Sequence, residues 1–396
     1  MKCKITNKKI EPFMSFGDMP IANGFIKKED FKSEFFFKME VGFSDELSLF
    51  QLNDHPKPES MFNAQYPFYT GSSEYMKNHF KNFSDFIKKN FLTTGSKIIE
   101  IGSNDGTLLK NFIGNKNDIL GVEPSKNVAQ KSASEGIPTL NEFFNIENVS
   151  KLKNFLGKTD AIFASNCICH IPDLDNLIKS VDLLLSKNGT FIFEEPYLGS
   201  MLEKTSYDQI YDEHIYMFSA SSIDKIFRLY DFELINVVPQ VTHGGSLRYI
   251  IKRKNISKKS DNLKIFLENE KLNKIDSLES CLNFKNNCES SKINIIEKLK
   301  KLKSDGKKIC GYAATSKSTT VLNYCKIDNT VIDFICDTTP EKIGKYSPGM
   351  HIPIVNMDHF HNNLPDAIYL FGWNHKDEIL KKENMFLGEW FSHVNL

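Results

Sequence analysis

Charge of one sign is the first thing missing. Lys+Arg and Asp+Glu both number 50, so no net field draws the chain to nucleic acid or to an anionic membrane. Long hydrophobic runs are missing too. None reaches the roughly 18–20 apolar residues of a membrane span, and the start MKCKITNKKI holds no signal-peptide core. The eight cysteines are scattered and set out no disulfide framework, which reads as reduced thiols in a cytoplasmic protein. No stretch repeats at a solenoid period, and the G-x-x-x-x-G-K spacing of a Walker A loop is absent. At 396 residues there is room for two to three domains with proper cores.

What is there centres on KIIEIGSNDGTLL and the later ILGVEPS. An apolar β-forming run, Lys97 to Ile101, ends in Gly102, Ser103, Asn104, Asp105 and Gly106 and passes into the helix-like TLLKNF. Strand, tight glycine-bearing turn and helix make the first unit of a nucleotide-binding α/β sheet. A second strand, Asp118 to Val122, brings Glu123 and Pro124 to its carboxyl end, where a carboxylate takes both hydroxyls of a ribose. The turn lacks the third glycine of G-x-G-x-x-G, which lets a pyrophosphate approach a helix N-terminus. Asp105 inside the turn repels phosphate. Such a turn suits a ligand with a positive charge and no phosphate, and S-adenosylmethionine is one. The bland alternative, an ordinary α/β turn carrying Asn-Asp-Gly, leaves the agreement of Glu100, the turn and Glu123 to coincidence.

The chain divides into three parts: 1–74, 75–256 and 257–396. The first is rich in Phe, Pro and Asn and reads as a small irregular domain. An amphipathic helix from Tyr75 to Asn90 leads into the second, where KIIEIG, DILGVE, DAIFASN, GTFIFEEP, ELINVVP and SLRYIIKR alternate with helical patterns. That is a doubly wound, mostly parallel Rossmann-like sheet closed by a hairpin. Residues 258–305 are highly charged with apolar residues at helical spacing and read as long helices. A second α/β domain follows, with strands in KKICGYAAT, VIDFICD, HIPIV and DAIYLFGWN and a helix from Asp377 to Lys382. Its turn GYAATSKS sets Lys317 near a helix N-terminus, which makes either a plain βα turn or a phosphate contact.

Ligands of open α/β sheets lie beyond the carboxyl ends of the strands, so three segments should meet there. ASNCICHIPD carries Asn166 and His170, IYDEHIYMFS carries Tyr211, Glu213 and His214, and THGGSLRY carries His243, Gly244 and Arg248. A histidine beside a carboxylate and a phenol can remove a proton near neutral pH, which makes the middle segment the strongest acid/base candidate. Each histidine alone is more often structural; three polar clusters after three strands favour a site. Cys167 and Cys169 flank an apolar strand end and read as buried core thiols.

Taken in order, EIGSNDGTLL, GVEPS, SNCICHIPDL, IYDEHIYMFS, HGGSLR, GYAATSKS and CDTTPEKIGKYSPGMHIPI run over nearly the whole chain. Together they resemble the bacterial S-adenosylmethionine-dependent C-methyltransferases that make branched sugars from nucleotide-linked keto-deoxysugars. The resemblance implies a zinc-binding N-terminal domain, a class I methyltransferase domain and a C-terminal α/β domain, in a monomer. It puts the donor-binding residues on Glu100, Gly102, Gly106, Glu123 and Asn166. It puts catalysis on His214 as the base, with Tyr211, Glu213, His170 and Asn166 around it. YPFYTGSS matches the family's aromatic entry segment and adds Tyr66 and Tyr69 as substrate contacts.

Two departures stand out. The family's two C-x-x-C zinc pairs fall here on Cys3, Thr6, Ser44 and Leu47, so no zinc is expected. Asp212 replaces a histidine and adds a carboxylate beside the base, where it either raises the His214 pKa or marks a different sugar. Glu213 is expected to fix the imidazole tautomer. The competing readings are O- or N-methylation, a non-catalytic binding protein on the same fold, and an NAD-dependent oxidoreductase, which the acidic turn disfavours.

Overall fold

The structure, a computed structural model, describes residues 1–64, 66–114 and 116–395. Its first lobe is an antiparallel sheet of β1 (Pro12–Pro20), β2 (Phe36–Ser44) and β3 (Leu49–Leu52). Phe37, Met39 and Val41 of β2 are buried at period two and join Phe13, Phe16 and Phe50 in one apolar cluster. This corrects the irregular domain expected there. Register shifts between Pro12 and Met14 and between Ser15 and Gly17 break the alternation of β1 and hide its period.

The central domain carries β4 (Lys97–Ile101), β5 (Asp118–Val122), β6 (Thr139–Leu140), β7 (Thr159–Ser165) and β8 (Leu185–Pro196). After them come β9 (Tyr216–Met217), β10 (Phe232–Gln240) and β11 (Ser246–Arg253). Seven of these form one sheet in the order β10-β11-β8-β7-β4-β5-β6, with β11 antiparallel to both neighbours and the rest of the ladder parallel. The chain leaves β4 toward β5 on one side and returns to β7 on the other, so the crevice beyond β4 and β7 is the switch point where a ligand fits. TLLKNF is not an α-helix. Only a 3-10 turn forms, Leu109–Phe112, because Gly106 N–H is taken by Ser103 O and Gly114 (φ 84) ends the segment.

β9 pairs with β3 instead of the central sheet, Phe50 facing Met217 and Gln51 facing Tyr216. The loop before β9 is thereby tied to the first lobe. Helices Asp261–Leu272 and Leu278–Ser304 lead to a parallel second sheet. It consists of β12 (Ile309–Tyr312), β13 (Ile335–Cys336), β14 (Ile354–Val355), β15 (Ala367–Leu370) and β16 (Glu389–Phe391), in the order β14-β13-β12-β15-β16. One apolar cluster unites Phe16 and Phe50 of the first lobe, Tyr207 and Ile210 of the central loop, and Val321 and Tyr369 of the last domain. The three parts share a core, so each is held in place by the other two.

Candidate active site

The turn after β4 is built to bring backbone close to a ligand. Gly102 (φ 66) and Gly106 (φ 78) lie in the left-handed region, and a Cβ at Gly102 would run into the Cys167 side chain. Glu123 accepts Asn104 N–H at 3.0 Å and Ser125 N–H at 2.8 Å, which fixes the acid beside the turn. Pro124 follows it, its carbonyl accepting the Asn141 amide at 2.8 Å. Glu100 Oε2, Ser103 Oγ and Asn166 Oδ1 are buried here without a partner. Burial, and then Asp105, hold the Glu100 carboxyl well above its ordinary range. Unpaired acceptors around a glycine cradle are what a ligand bearing an ammonium group and a ribose would satisfy, so the residues fit S-adenosylmethionine. Asp105 does not face that space openly. Its carboxylate accepts Gly71 N–H at 2.8 Å and Thr107 Oγ at 2.6 Å, so it staples an overlying segment instead of repelling phosphate directly.

That segment holds Tyr66 and Tyr69. Asn127 donates to Tyr66 O and to Tyr69 Oη, both at 2.8 Å, and Thr70 N–H reaches Asn104 Oδ1 at 3.0 Å. Tyr66 Oη in turn donates to Glu213 Oε2 at 3.3 Å, linking the segment over the glycine turn to the loop of Tyr211 and His214. Asn127 escaped the sequence reading, since a lone helical asparagine carries no signal of its own.

Tyr211 and His214 form a buried hydrogen-bonded pair. His214 Nδ1 lies 2.7 Å from Gln209 O, which only accepts, so Nδ1 carries the proton. Nε2 is then the acceptor, and Tyr211 O–H donates to it at 2.7 Å. Burial, helped by His170, holds the imidazole well below its ordinary pKa, so it stays neutral. The His170 ring is stacked between Phe62, at 5.7 Å, and His214, at 5.3 Å, with Nε2 unpartnered and its pKa pushed down to about 4 by burial. Asn166 (φ 51) begins the same loop, which Glu195 pins by accepting the N–H groups of Cys167, Ile168 and Cys169.

The two acids of the loop differ from expectation. Glu213 does not touch the imidazole; it accepts from Asn23 Nδ2 at 2.6 Å and from Tyr66, and the tautomer is set by Gln209 O instead. Asp212 accepts Ala22 N–H at 2.9 Å, turned toward the first lobe. Burial raises both carboxyls, and the Glu213 charge raises Asp212 further, so the adjacent pair resists carrying two charges. Asp212 therefore does not raise His214. Nothing but proximity in the fold identifies Gln209 and Asn23, and no motif names them.

The remaining candidates divide. His243 (φ 54) and Gly244 (φ 82) pack against the last domain, where a Cβ on Gly244 would run into Trp373. His243 Nε2 is unpartnered, and burial and Lys317 push its pKa down to about 3. Lys317 is buried, near His214 and His243, with Nζ 3.3 Å from Asn374 Oδ1. Arg248 is spent elsewhere: it grips Glu194 at 2.5 and 2.7 Å and lies over the Phe83 and Phe86 rings.

At the zinc positions stand one thiol, two hydroxyls and Leu47, with Cys3, Leu47 and Leu49 in one apolar cluster; that set does not fit zinc. Cys169, His170 and His214 offer ligand atoms within 4.8 Å of one another. A cation there must displace Tyr211 from His214 and ionise Cys169, whose thiol burial and Glu195 push well up. No helix among the described residues is long and apolar enough to cross a membrane.

Comparisons with known proteins agree with the topology. Family models described as "Putative zinc binding domain", "Methyltransferase domain" and "C-methyltransferase C-terminal domain" match residues 3–62, 75–237 and 241–393. The C-methyltransferase NovU of Streptomyces niveus is 28% identical over 377 residues, 94% of this chain and 90% of NovU. A carboxy-S-adenosyl-L-methionine synthase of Nautilia profundicola is 29% identical over 164 residues, 39% of this chain and 64% of that protein. Among solved structures, the magnesium protoporphyrin IX methyltransferase of Synechocystis with bound SAH aligns at a TM-score of 0.35 and 13% identity, over 45% of this chain and 83% of that one. The three matched domains, in this order, mark the chain as an S-adenosylmethionine-dependent methyltransferase, similar over most of its length to a C-methyltransferase.

Proposed function

We propose that the enzyme methylates carbon: it deprotonates a nucleotide-linked keto-sugar next to the ketone and transfers a methyl group to that carbon. The observation that carries this reading is the Gln209–His214–Tyr211 chain, a neutral imidazole with its accepting nitrogen aimed through a phenol into the cleft. S-adenosylmethionine, bound at the glycine turn, supplies an electrophilic methyl on sulfur. Tyr211 oxygen takes the α-proton as its own proton passes to His214 Nε2, leaving an imidazolium, an intact phenol and an enolate. Asn166, in the loop after β7, and His170, stacked on His214, are assigned to orienting the substrate. Tyr66 and Tyr69 are assigned to covering it, and His243 and Gly244 to bounding it where the central domain packs against the last one. The methyl, the donor sulfur and the nucleophilic carbon must stand in line, and the shared three-part core keeps the walls in register.

The test is turnover of a panel of nucleotide keto-sugars with methyl-labelled donor. Label on a ring carbon with loss of the α-hydrogen supports the reading. Label on oxygen or nitrogen with the α-hydrogen retained replaces it by O- or N-methylation. Failure to bind the donor by calorimetry returns a non-catalytic binding protein.

The chain is read as zinc-free, because Thr6, Ser44 and Leu47 stand where thiolates are needed, and as a monomer on the family resemblance alone. Metal analysis of the purified protein is expected to find well under one zinc per chain. Stoichiometric zinc that survives dialysis against a chelator would remove this reading.

A further inference from the structure

Three features of Lys317 converge. The first is its place. The helix Ser316–Cys325 enters the cleft from the last domain under a Thr315 cap, and the Ser316 hydroxyl sits beside the Tyr211 phenol. One turn later Thr319 Oγ donates to Ala22 O at 2.9 Å and Thr320 Oγ to Ile210 O at 2.8 Å. The helix is thus clamped to both the first lobe and the catalytic loop, and its N-terminal end is held against the dyad.

The second is the state of the ammonium. Lys317 is 7% exposed, and the contacts of Nζ are neutral: Asn374 Oδ1 at 3.3 Å and the Trp373 ring at 5.1 Å. No carboxylate lies within ion-pair distance among the described residues. Burial lowers the Lys317 pKa, and the charge of nearby Asp208, which accepts from Trp373 Nε1 at 2.7 Å and lies 3.0 Å from His393, raises it. A buried cation with no carboxylate at ion-pair distance among the described residues is costly unless something anionic arrives.

The third is the chemistry of the cleft. His170, His214 and His243 are all held neutral by burial, and Arg248 is neutralised by Glu194. Asp212 and Glu213 add partial negative charge beside the dyad. Among the described residues here, Lys317 is the ammonium that an anion formed beside the dyad would meet, since it has no carboxylate at ion-pair distance.

We propose that the Lys317 ammonium stabilises the enolate oxygen created when the keto-sugar loses its α-proton. The C–H bond breaks toward Tyr211 and His214, its electron pair becomes the new C=C bond, and the carbonyl pair moves onto the oxygen facing Nζ. This rests on the C-methylation reading and assigns that site its electrophile. A positive charge aimed at a developing oxyanion in a dry cleft is worth roughly 10²–10³-fold in rate.

The experiment follows exchange of the α-proton into heavy water with S-adenosylhomocysteine filling the donor site, so that no methyl transfer intervenes. Lys317→Gln and the isosteric Lys317→Met are compared with wild type, each checked for fold by circular dichroism and for donor affinity by calorimetry. Exchange at saturating sugar is expected to fall about 100-fold or more in both variants, with KM within about three-fold and donor affinity unchanged. A rise in KM with wild-type exchange at saturation makes Lys317 a phosphate anchor and overturns the inference alone. Absence of exchange in the wild type overturns the C-methylation reading and this inference with it.

Discussion

His214→Asn should lower methyl transfer by about 10³-fold or more, the range lost when a positioned general base is removed, while donor affinity stays within a few-fold. The geometry makes both halves specific. His214 Nε2 is the proton acceptor at the end of the Gln209–His214–Tyr211 chain, and asparagine offers no basic nitrogen there. The donor turn lies on another wall, held by Glu123, Asn104 and Asp105, none of which touches His214. Tyr211→Phe should lose nearly as much, because the phenol lies between the imidazole and the cleft; near-wild-type turnover would show that Nε2 meets the α-carbon directly. The pH profile is a further check. Burial lowers the His214 pKa, so the base stays unprotonated below the ordinary imidazole range, and the acid limb of kcat should fall below about pH 6.5. Retained turnover in His214→Asn would remove His214 as the base.

Much of this site was legible because its residues sit on loops after strands whose period is plain. Lys97 to Ile101 and Asp118 to Val122 read as strands and are β4 and β5, which puts Gly102, Gly106 and Glu123 where they stand. The histidine-bearing segments also meet as expected, since β7 and the loop before β9 end on one side of the sheet. Other parts had no signal to read. Gln209 acts through its backbone carbonyl, and every residue has one. Asn23 and Ala22 reach the catalytic loop from 190 residues away in sequence, through a lobe whose strands are disguised by bulges. Asp105 was read by charge alone, but a carboxylate next to free N–H groups is used first as an acceptor. Glu213 beside His214 in sequence points away from it, because adjacent side chains in an irregular loop need not share a face.

Arg248 is the sharpest case of a residue whose sequence reading and surroundings part company. Expected as a substrate contact, it faces Glu194 across the β8–β11 ladder, directly in register. Glu194 also takes His79 Nε2 at 2.6 Å, from the helix Glu74–Phe91 that packs over the sheet. Arg248 and Glu194 are 5% and 1% exposed. Removing one member of such a pair strands the other charge, so Arg248→Ala should cost about 3–5 kcal/mol of stability. The double change Glu194→Leu with Arg248→Met should recover most of it, since apolar replacement removes both desolvation penalties together. Thermal unfolding of the three proteins measures this. A pH arm gives the sign independently. Burial alone would raise the Glu194 carboxyl, but His79 and Arg248 hold it below its ordinary value. A carboxyl depressed in the folded state contributes stability that is present above its unfolded pKa, near 4.3, and is lost as pH falls through the folded value. Wild type should therefore lose this increment on acidification, and the double variant should not. If Arg248→Ala instead melts like wild type and only raises the sugar KM, the guanidinium works on substrate, and the helix Glu74–Phe91 is held by its Phe80 and Phe83 packing alone.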